Sequence, residues 1–216
     1  MSEQQNVTGG NHKHINGQLA AKSKYLSWLL RHGAYEQNLT MDEAGWVKLK
    51  EILPILDISQ PELEQIVNTD TKQRFQLINQ SIRACQGHST KNRAVTPDAL
   101  ENSWLEYTDD HSIWHSTTAG NIFNIACEGI KPMARTHVHC ASRYDSSVGK
   151  RTNAPILLEI SPSKIRDAGL KIFVAPNGVV LTRYVPPEAI INLIAVTKRA
   201  KKQEATLRKY LGLSLS

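Results

Sequence analysis

The stretch R-F-Q-L-I-N-Q-S-I-R-A-C-Q-G-H-S, residues 74–89, combines a turn signal with side chains suited to phosphate. Apolar and polar residues alternate on both sides of Asn79-Gln80, which predicts a β-hairpin. The second strand leads into an arginine, a glutamine, a histidine and a serine, which can bond phosphate or sugar oxygens. Gly87 lets the backbone approach a ligand closely. The stretch therefore predicts a hairpin beside a site for an anionic, ribose-bearing substrate.

A helix is expected before this hairpin, from Gln18 to His32. Its leucines recur on one face, and Gly33 follows as a helix-ending residue. The helix ends in Arg31 and His32, which either stabilise the helix dipole or present two phosphate donors at a domain edge. The polar residues 1–17 are expected to form a disordered tail.

Two more helices are expected between the first helix and the hairpin. M-D-E-A-G-W at 41–46 predicts a turn into a helix from Val47 to Leu53, which stops near Pro54. A third helix opens at Ser59-Gln60-Pro61. Helices followed by a hairpin predict a winged-helix-like lobe over residues 18–91, a unit that often binds nucleic acid. A small helical domain that does not touch nucleic acid is the alternative.

The second half of the chain predicts a separate α+β domain over residues 92–216. Residues 90–108 have few periodic apolar positions and are expected to form a linker. Beyond them a short helix is expected at Asn121–Glu128, and residues 197–211 predict a basic surface helix. Four short β-rich runs are Ser112–His115, Pro155–Ile160, Lys171–Val174 and Gly178–Leu181. The fold class expected for the whole chain is therefore α+β.

Composition limits the classes of protein that the chain can belong to. Its 216 residues are 40% hydrophobic and 21% charged, which is typical of a globular protein. A net charge of +6 favours a polyanionic partner such as RNA or DNA, although an ordinary basic protein is equally compatible. Three cysteines without C-x-x-C spacing indicate a reducing compartment. No apolar run is long enough for a membrane span, so an intracellular protein is expected, either cytoplasmic or, in a eukaryote, nuclear.

Arginine and histidine recur in three further motifs: L-L-R-H at 29–32, W-H-S-T at 114–117 and R-T-H-V-H at 135–139. Arg31, Arg83 and Arg151 either are surface charges or jointly present forked guanidinium groups to one phosphate. His32 adds a further donor. Such a cluster suits a terminal phosphomonoester better than a bridging diester, because it satisfies two negative charges and several acceptors.

A metal site is not expected. His137 and His139 alternate with Val138 and point to one face of a strand, but two histidines without a carboxylate or cysteine partner on that face are weak evidence for a metal site. A core or sugar-binding role suits these histidines better. The chain also lacks the glycine-rich signatures of Rossmann folds and P-loops.

The ordered motifs resemble the tRNA 2'-phosphotransferase family. The resemblance runs from about Ser23 to Ile191 and rests on the series as a whole. The motifs are S-K-Y-L-S-W-L-L-R-H, M-D-E-A-G-W, I-R-A-C-Q-G-H-S, W-H-S-T, G-I-K-P-M-A-R-T-H-V-H, V-G-K-R and N-G-V-V-L-T followed by V-P-P. Ser116 and Ala134 stand where the family usually has glycine.

This resemblance implies an N-terminal winged-helix RNA lobe and a C-terminal lobe with the ADP-ribosyltransferase fold, which binds NAD. It implies NAD-dependent removal of a splice-junction 2'-phosphate from tRNA. The phosphate oxygen would attack the nicotinamide ribose and form an ADP-ribosylated RNA 2'-phosphate with loss of nicotinamide. A ribose hydroxyl would then attack the phosphorus and release RNA and ADP-ribose 1'',2''-cyclic phosphate. NAD is thus a co-substrate, and no metal is expected.

The resemblance also implies roles for individual residues. The catalytic set falls on Arg31, His32, Arg83 and Arg151. NAD contacts fall on His115, Ser116, Thr117, His139, Gly178 and Val179. RNA contacts fall on Arg31, His32, Arg83, Gln86, His88 and Ser89. A monomer that acts on RNA with an internal 2'-phosphate is expected.

Two other functions stay open on the sequence. An ADP-ribosyltransferase that caps phosphorylated RNA or DNA ends would stop after the first step and keep the ADP-ribosyl group on the nucleic acid. A non-catalytic winged-helix protein would bind nucleic acid without NAD. The intact arginine–histidine set argues against the second, whereas Ser116 and Ala134 argue slightly for it.

Overall fold

The computed structural model describes residues 8–92 and 94–214, with side chains described from residue 17 onward. Helix α1 spans Thr8–Trp28 and continues as a π-helical turn, Leu29–Gly33. The helix begins ten residues before Gln18, so the disordered tail expected for 1–17 is wrong from residue 8 onward. Extending an existing helix costs far less than nucleating one, so a helix anchored by buried leucines can continue into polar sequence. The tail prediction for residues 1–7 lies outside the described residues.

A three-stranded antiparallel sheet follows α1, in the order β1-β3-β2. Its elements are β1 (Val47–Lys48), α2 (Leu49–Leu56), α3 (Gln60–Thr69), β2 (Phe75–Ile78) and β3 (Ser81–Ala84). The predicted hairpin is confirmed, because Ile78 pairs with Ser81 around Asn79-Gln80. Both turn residues have positive φ angles, 45° and 60°, as a two-residue type I′ turn requires. The start of α3 is also confirmed, with a capping box between Ser59 and Glu62.

The second helix differs from its prediction at both ends. Val47 and Lys48 form a strand instead of a helical turn, because Val47 pairs with Ile82 across the sheet. Pro54 lies inside α2, which continues to Leu56. The helix ends where Asp57 adopts a left-handed conformation and its N–H bonds the carbonyl oxygens of the preceding turn. Tertiary pairing therefore decided the start of the helix, and proline did not end it.

A seven-stranded antiparallel sheet forms the second half, in the order β10-β7-β5-β6-β9-β8-β4. The strands are β4 (Leu105–Glu106), β5 (Ile113–Thr117), β6 (Val138–Ala141), β7 (Ile156–Ile160), β8 (Ile172–Val174), β9 (Val179–Thr182) and β10 (Ile190–Ala195). The helices are α4 (Pro97–Asn102), α5 (Ile122–Glu128), α6 (Pro162–Asp167), α7 (Lys198–Lys201) and α8 (Glu204–Tyr210). Helices and antiparallel sheets in one chain confirm the α+β class. Within the described residues, no helix is both long and apolar enough to cross a membrane.

The four predicted β-rich runs and the helix ending at Gly129 are confirmed. The linker expected at 90–108 is wrong, because this segment contains α4 and β4. Leu100 and Trp104, four positions apart, are both buried and hold the segment in place. The basic segment near the C-terminus forms two short helices instead of one.

Two hydrophobic cores organise the chain. The helical half comprises α1 to α3 and β1 to β3. One core joins its residues Leu26 and Leu30 with Phe173 and Leu181 of the large sheet. The other core fills the space between the large sheet and α5, α6 and α8. The shared core holds the C-terminal end of α1 against the large sheet. The division of the chain after residue 91 stays a prediction.

Candidate functional site

A cleft of about 670 Å³ lies where the end of α1 meets β5, β6, α5 and the segment before β7. Eight of the predicted site residues line it: Arg31, Gln86, His115, Ser116, Thr117, His139, Arg151 and Val179. These residues come from distant parts of the sequence, and the fold brings them together. The cleft is therefore the candidate site.

Cationic groups dominate the chemistry of the cleft. Burial, together with Arg135 and Arg74, lowers the pKa of Arg31 to about 10, so Arg31 stays charged near neutral pH. Burial and the nearby Arg151 lower the pKa of Arg135. The Nε atom of Arg31 is buried without a hydrogen-bond partner in the described part of the chain. An anionic ligand would relieve both the mutual repulsion of these cations and the unpaired donor.

Hydrogen bonds link His115 to His139, and His139 to Gln86 of the helical half. The Nδ1 atom of His115 lies 2.9 Å from the carbonyl oxygen of His139, and His139 Nε2 lies 2.9 Å from Gln86 Oε1. A carbonyl oxygen only accepts, so His115 Nδ1 donates and its Nε2 atom is the acceptor of the neutral ring. Burial lowers the pKa of both histidines, which keeps the rings neutral near pH 7. His115 therefore offers the cleft a hydrogen-bond acceptor of fixed tautomer.

The end of β5 holds the segment that carries Arg151. The Ser116 hydroxyl accepts a hydrogen bond of 2.8 Å from the Arg151 backbone N–H. Gly149, with φ of 78°, packs so closely on β6 that a Cβ would lie 2.2 Å from the Cys140 carbonyl oxygen. Thr117 is buried and accepts a 3.3 Å bond from the Asn121 amide. Ser116 thus contacts the protein backbone directly.

The segment after β3 is hydrogen-bonded both to the end of α1 and to the residues that precede β6. The Ser89 N–H donates to the Arg31 carbonyl, and the Thr136 N–H donates to the His88 carbonyl, both at 3.1 Å. The His88 side chain has no exposed surface, and burial followed by the charge of Arg31 lowers the pKa of His88 to about 3. His88 and Ser89 are both buried and do not line the cleft. Their predicted contact with RNA stays a prediction.

Arg83 does not line the cleft; it lies on β3 and is buried against the end of α4. Its guanidinium donates to Gln76 Oε1 at 2.8 Å and to Ser103 Oγ at 2.7 Å, and it lies 4.7 Å from the centre of the Trp46 ring. The residue is 3% exposed. In this conformation protein partners occupy the guanidinium, and the predicted role of Arg83 stays a prediction.

His32 and Gly178 also do not line the cleft. His32 is exposed beside Arg31, and partial burial, Arg31 and Arg135 together lower its pKa. Gly178, with φ of 77°, forms the turn that places Val179 and Asn177 in the cleft wall. The predicted contacts of His32 and Gly178 with substrate therefore stay predictions.

His137 has partners that explain its burial. Its Nε2 atom lies 2.9 Å from Glu101 Oε1, and the ring meets Trp104 edge-on. Within the described residues, no group of three histidine, cysteine or carboxylate side chains is placed to hold a metal ion. His137 is packed like a core histidine but also lines the cleft, so the core and sugar-binding roles that the sequence favoured for it both stay predictions.

Sequence reasoning missed several cleft residues. Arg135 belongs to the quoted motif R-T-H-V-H but was not assigned to the site, although the motif itself was a usable signal. Lys72, Lys150 and Asn177 also line the cleft. Lys150 and Asn177 belong to the quoted motifs V-G-K-R and N-G-V-V-L-T but were not assigned to the site, and no sequence pattern singled out Lys72. The Oδ1 atom of Asn177 is buried without a hydrogen-bond partner among the described residues.

The fold and the cleft first define a class: an α+β protein with two antiparallel sheets and an arginine-rich cleft between distant segments. The sequence model of one protein family, described as “RNA 2'-phosphotransferase, Tpt1 / KptA family”, matches residues 18–184. A probable RNA 2'-phosphotransferase 2 of Archaeoglobus fulgidus is 36% identical over 177 residues, 78% of this chain and 77% of the relative. The chain belongs to the RNA 2'-phosphotransferase family.

Bacterial relatives agree with this assignment. A probable RNA 2'-phosphotransferase of Pseudomonas syringae pv. tomato is 35% identical over 176 residues, 77% of this chain and 90% of the relative. One from Acaryochloris marina is 30% identical over 188 residues, 83% of this chain and 99% of the relative. The resemblance found in the motifs is therefore confirmed, and the protein is a transferase of this family.

Proposed function

We propose that the protein is an NAD-dependent RNA 2'-phosphotransferase that removes the splice-junction 2'-phosphate from tRNA. The observation that carries the proposal is the cleft itself, in which Arg31, Arg135 and Arg151 lie beside the neutral pair His115 and His139. The arginines suit a phosphate dianion. The histidines suit the hydroxyl groups of a ribose.

The architecture supports the two lobes of this proposal. Three helices and a three-stranded sheet with a hairpin are the elements of a winged-helix RNA lobe. The seven-stranded sheet would be the ADP-ribosyltransferase-like lobe. The cleft receives Arg31 and Gln86 from the first lobe and His115, His139 and Arg151 from the second. Phosphate and NAD would therefore meet between them.

The cleft residues fit NAD as a co-substrate. The buried Asn177 Oδ1 and Arg31 Nε atoms lack partners in the described part of the chain, and both residues line the cleft. An acceptor and a cationic donor are what ribose hydroxyls and a pyrophosphate require. His115, Ser116, Thr117, His139 and Val179 would complete the contacts. NAD supplies a ribose carbon with nicotinamide as its leaving group.

The cleft need not supply a general base for the first step. A phosphate dianion is already a nucleophile, and cations that hold it in place supply orientation and neutralise charge. Arg31 and Arg151 would bind the non-attacking oxygens of the phosphate. In the second step the same arginines would stabilise the charge that develops on the phosphorus.

Incubation of an RNA bearing one internal 2'-phosphate, with and without NAD, tests the proposal. We expect loss of the phosphate only with NAD, together with nicotinamide and ADP-ribose 1'',2''-cyclic phosphate, and no effect of a chelator. Equally fast loss without NAD would contradict the proposal. An ADP-ribosyl group retained on the nucleic acid would identify a capping transferase, and the absence of NAD binding would identify a non-catalytic RNA-binding protein. The monomeric state and cytoplasmic location stay predictions.

A further inference from the structure

The outer face of α1 carries two exposed aromatic rings directly before the cleft. Tyr25 and Trp28 stack with ring centres 5.6 Å apart and an angle of 11° between their planes. They remain 38% and 37% exposed. Trp28 lies four residues before His32, which corresponds to about one helical turn, or ~6 Å. The stack therefore lies close to the Arg31 end of the cleft.

The position of the Trp28 ring is set by its own helix. A Cβ on Gly33 would lie 2.3 Å from Trp28 ring carbons, so the ring occupies the space that a side chain at position 33 would need. Tyr25 holds the ring from the preceding turn. A ring fixed in advance loses little entropy when it binds a partner, which makes this pair a pre-organised stacking surface.

A polar groove between α1 and α3 runs beside the stack. Its volume is about 550 Å³, and its wall includes hydroxyl groups and two cations. The polar lining residues are Ser23, Lys24, Ser27, Gln65, Thr69, Asp70, Thr71 and Arg74. Arg74 lines both this groove and the cleft, so the two are adjacent.

The charge of the groove suits a phosphodiester chain. The carboxylate in its wall, Asp70, forms an ion pair with Arg74, and the Asp70 side chain is 3% exposed. Lys24 is exposed and forms no ion pair within the described residues. The groove therefore offers a cation and hydroxyl donors, while the neighbouring rings offer a surface for a planar base.

We infer that Lys24, Tyr25 and Trp28 form a subsite for single-stranded RNA that adjoins the phosphorylated nucleotide. The flanking base stacks on the Tyr25–Trp28 pair, and the flanking phosphodiester passes Lys24 in the groove. Stacking on aromatic rings tolerates every base, so this subsite strengthens binding without selecting a sequence. The inference rests on the proposed function for the substrate class, and it assigns recognition beyond the 2'-phosphate to α1.

The test compares two substrates: a minimal one, which is a single nucleotide that carries the 2'-phosphate and has no neighbouring nucleotide, and the same nucleotide within a longer single-stranded RNA. The quantity measured is the ratio of kcat/KM for the long substrate to that for the minimal one. We expect Tyr25→Ala to reduce this ratio about fivefold, and Trp28→Ala with Tyr25→Ala to reduce it by up to about a hundredfold. Turnover of the minimal substrate by the unaltered protein tests the proposed function separately.

Tyr210→Ala is the matched control. Tyr210 is also an exposed tyrosine that packs on another aromatic ring, Phe123, but it lies on α8 of the large-sheet half. Its loss should leave the ratio unchanged. Lys24→Gln keeps the packing of α1 and removes one cation. It should make the plot of log binding constant for the long RNA against log salt concentration less steep by about 0.7. An unchanged ratio in Tyr25→Ala together with an unchanged slope in Lys24→Gln would overturn the inference.

Discussion

Arg31 and Arg83 look alike in the sequence, each within a motif that suits phosphate, yet the structure gives them opposite surroundings. Arg31 lines a cleft next to other cations and has a buried Nε atom without a partner in the described part of the chain. Arg83 is 3% exposed and donates to Gln76 and Ser103 over the Trp46 ring. Similar motifs therefore do not imply similar surroundings: Arg31 keeps a donor for an anionic ligand, whereas protein partners hold Arg83, whose catalytic role stays a prediction.

The largest effect is expected for Arg31→Ala. Removal of a charged donor from a partly desolvated phosphate site costs about 2–5 kcal/mol, so kcat/KM for the phosphorylated RNA should fall at least about thirtyfold. Steady-state turnover with NAD measures the loss. Arg143→Ala is the control, because Arg143 is exposed and pairs with Asp145 outside the cleft. Equal turnover of both variants would place the phosphate site elsewhere.

The next effect concerns the pH dependence of stability near His88. The folded-state pKa of His88, about 3, lies below the usual unfolded value, so the unfolded chain binds more protons between these values. The contribution of neutral His88 to the free energy of unfolding is therefore complete above about pH 6.5. It is lost as pH falls toward 3, by at most about 1.4 kcal/mol per pH unit. Chemical denaturation at several pH values should show a flatter slope for His88→Gln. The same slope in both proteins would contradict a buried neutral His88.

A smaller effect is expected for Arg83→Met, in stability. The substitution leaves Gln76 Oε1 and Ser103 Oγ without their bonds from Arg83, which should lower the free energy of unfolding by about 1–3 kcal/mol. Denaturant unfolding measures this change, and turnover is expressed per folded molecule. Unchanged stability with strongly reduced turnover would instead support the phosphate-binding role that the resemblance implies for Arg83.

The smallest effect is expected for Ser116→Ala. The lost hydrogen bond to the Arg151 N–H is worth about 0.5–1.5 kcal/mol, so turnover should fall by no more than about tenfold. Ser116→Thr keeps the hydroxyl and should restore most of the activity. In an Arg151→Ala background the serine substitution should cost little more. Equal losses in both backgrounds would mean that Ser116 contacts a substrate itself.

The sequence correctly predicted features that depend on residues adjacent along the chain. Asn79-Gln80 and Ser59-Gln60-Pro61 specify a turn and a helix start locally, and both appear in the structure. The linker expected at 90–108 was wrong, since Leu100 and Trp104 gain their role only from a core built by distant segments. The surroundings of Arg31 and Arg83 likewise depend on tertiary packing. Motifs alone therefore predicted two of the cleft arginines, Arg31 and Arg151, but did not predict that Arg135 lines the cleft or that Arg83 lies outside it.

We propose that the cleft transfers an RNA 2'-phosphate to NAD. The most direct measurement follows a radiolabel on the internal 2'-phosphate of an RNA, in parallel reactions with and without NAD. We expect the label to leave the RNA only with NAD and to appear in an ADP-ribose cyclic phosphate, with one nicotinamide released per phosphate. Label released as inorganic phosphate, or released equally without NAD, would contradict it.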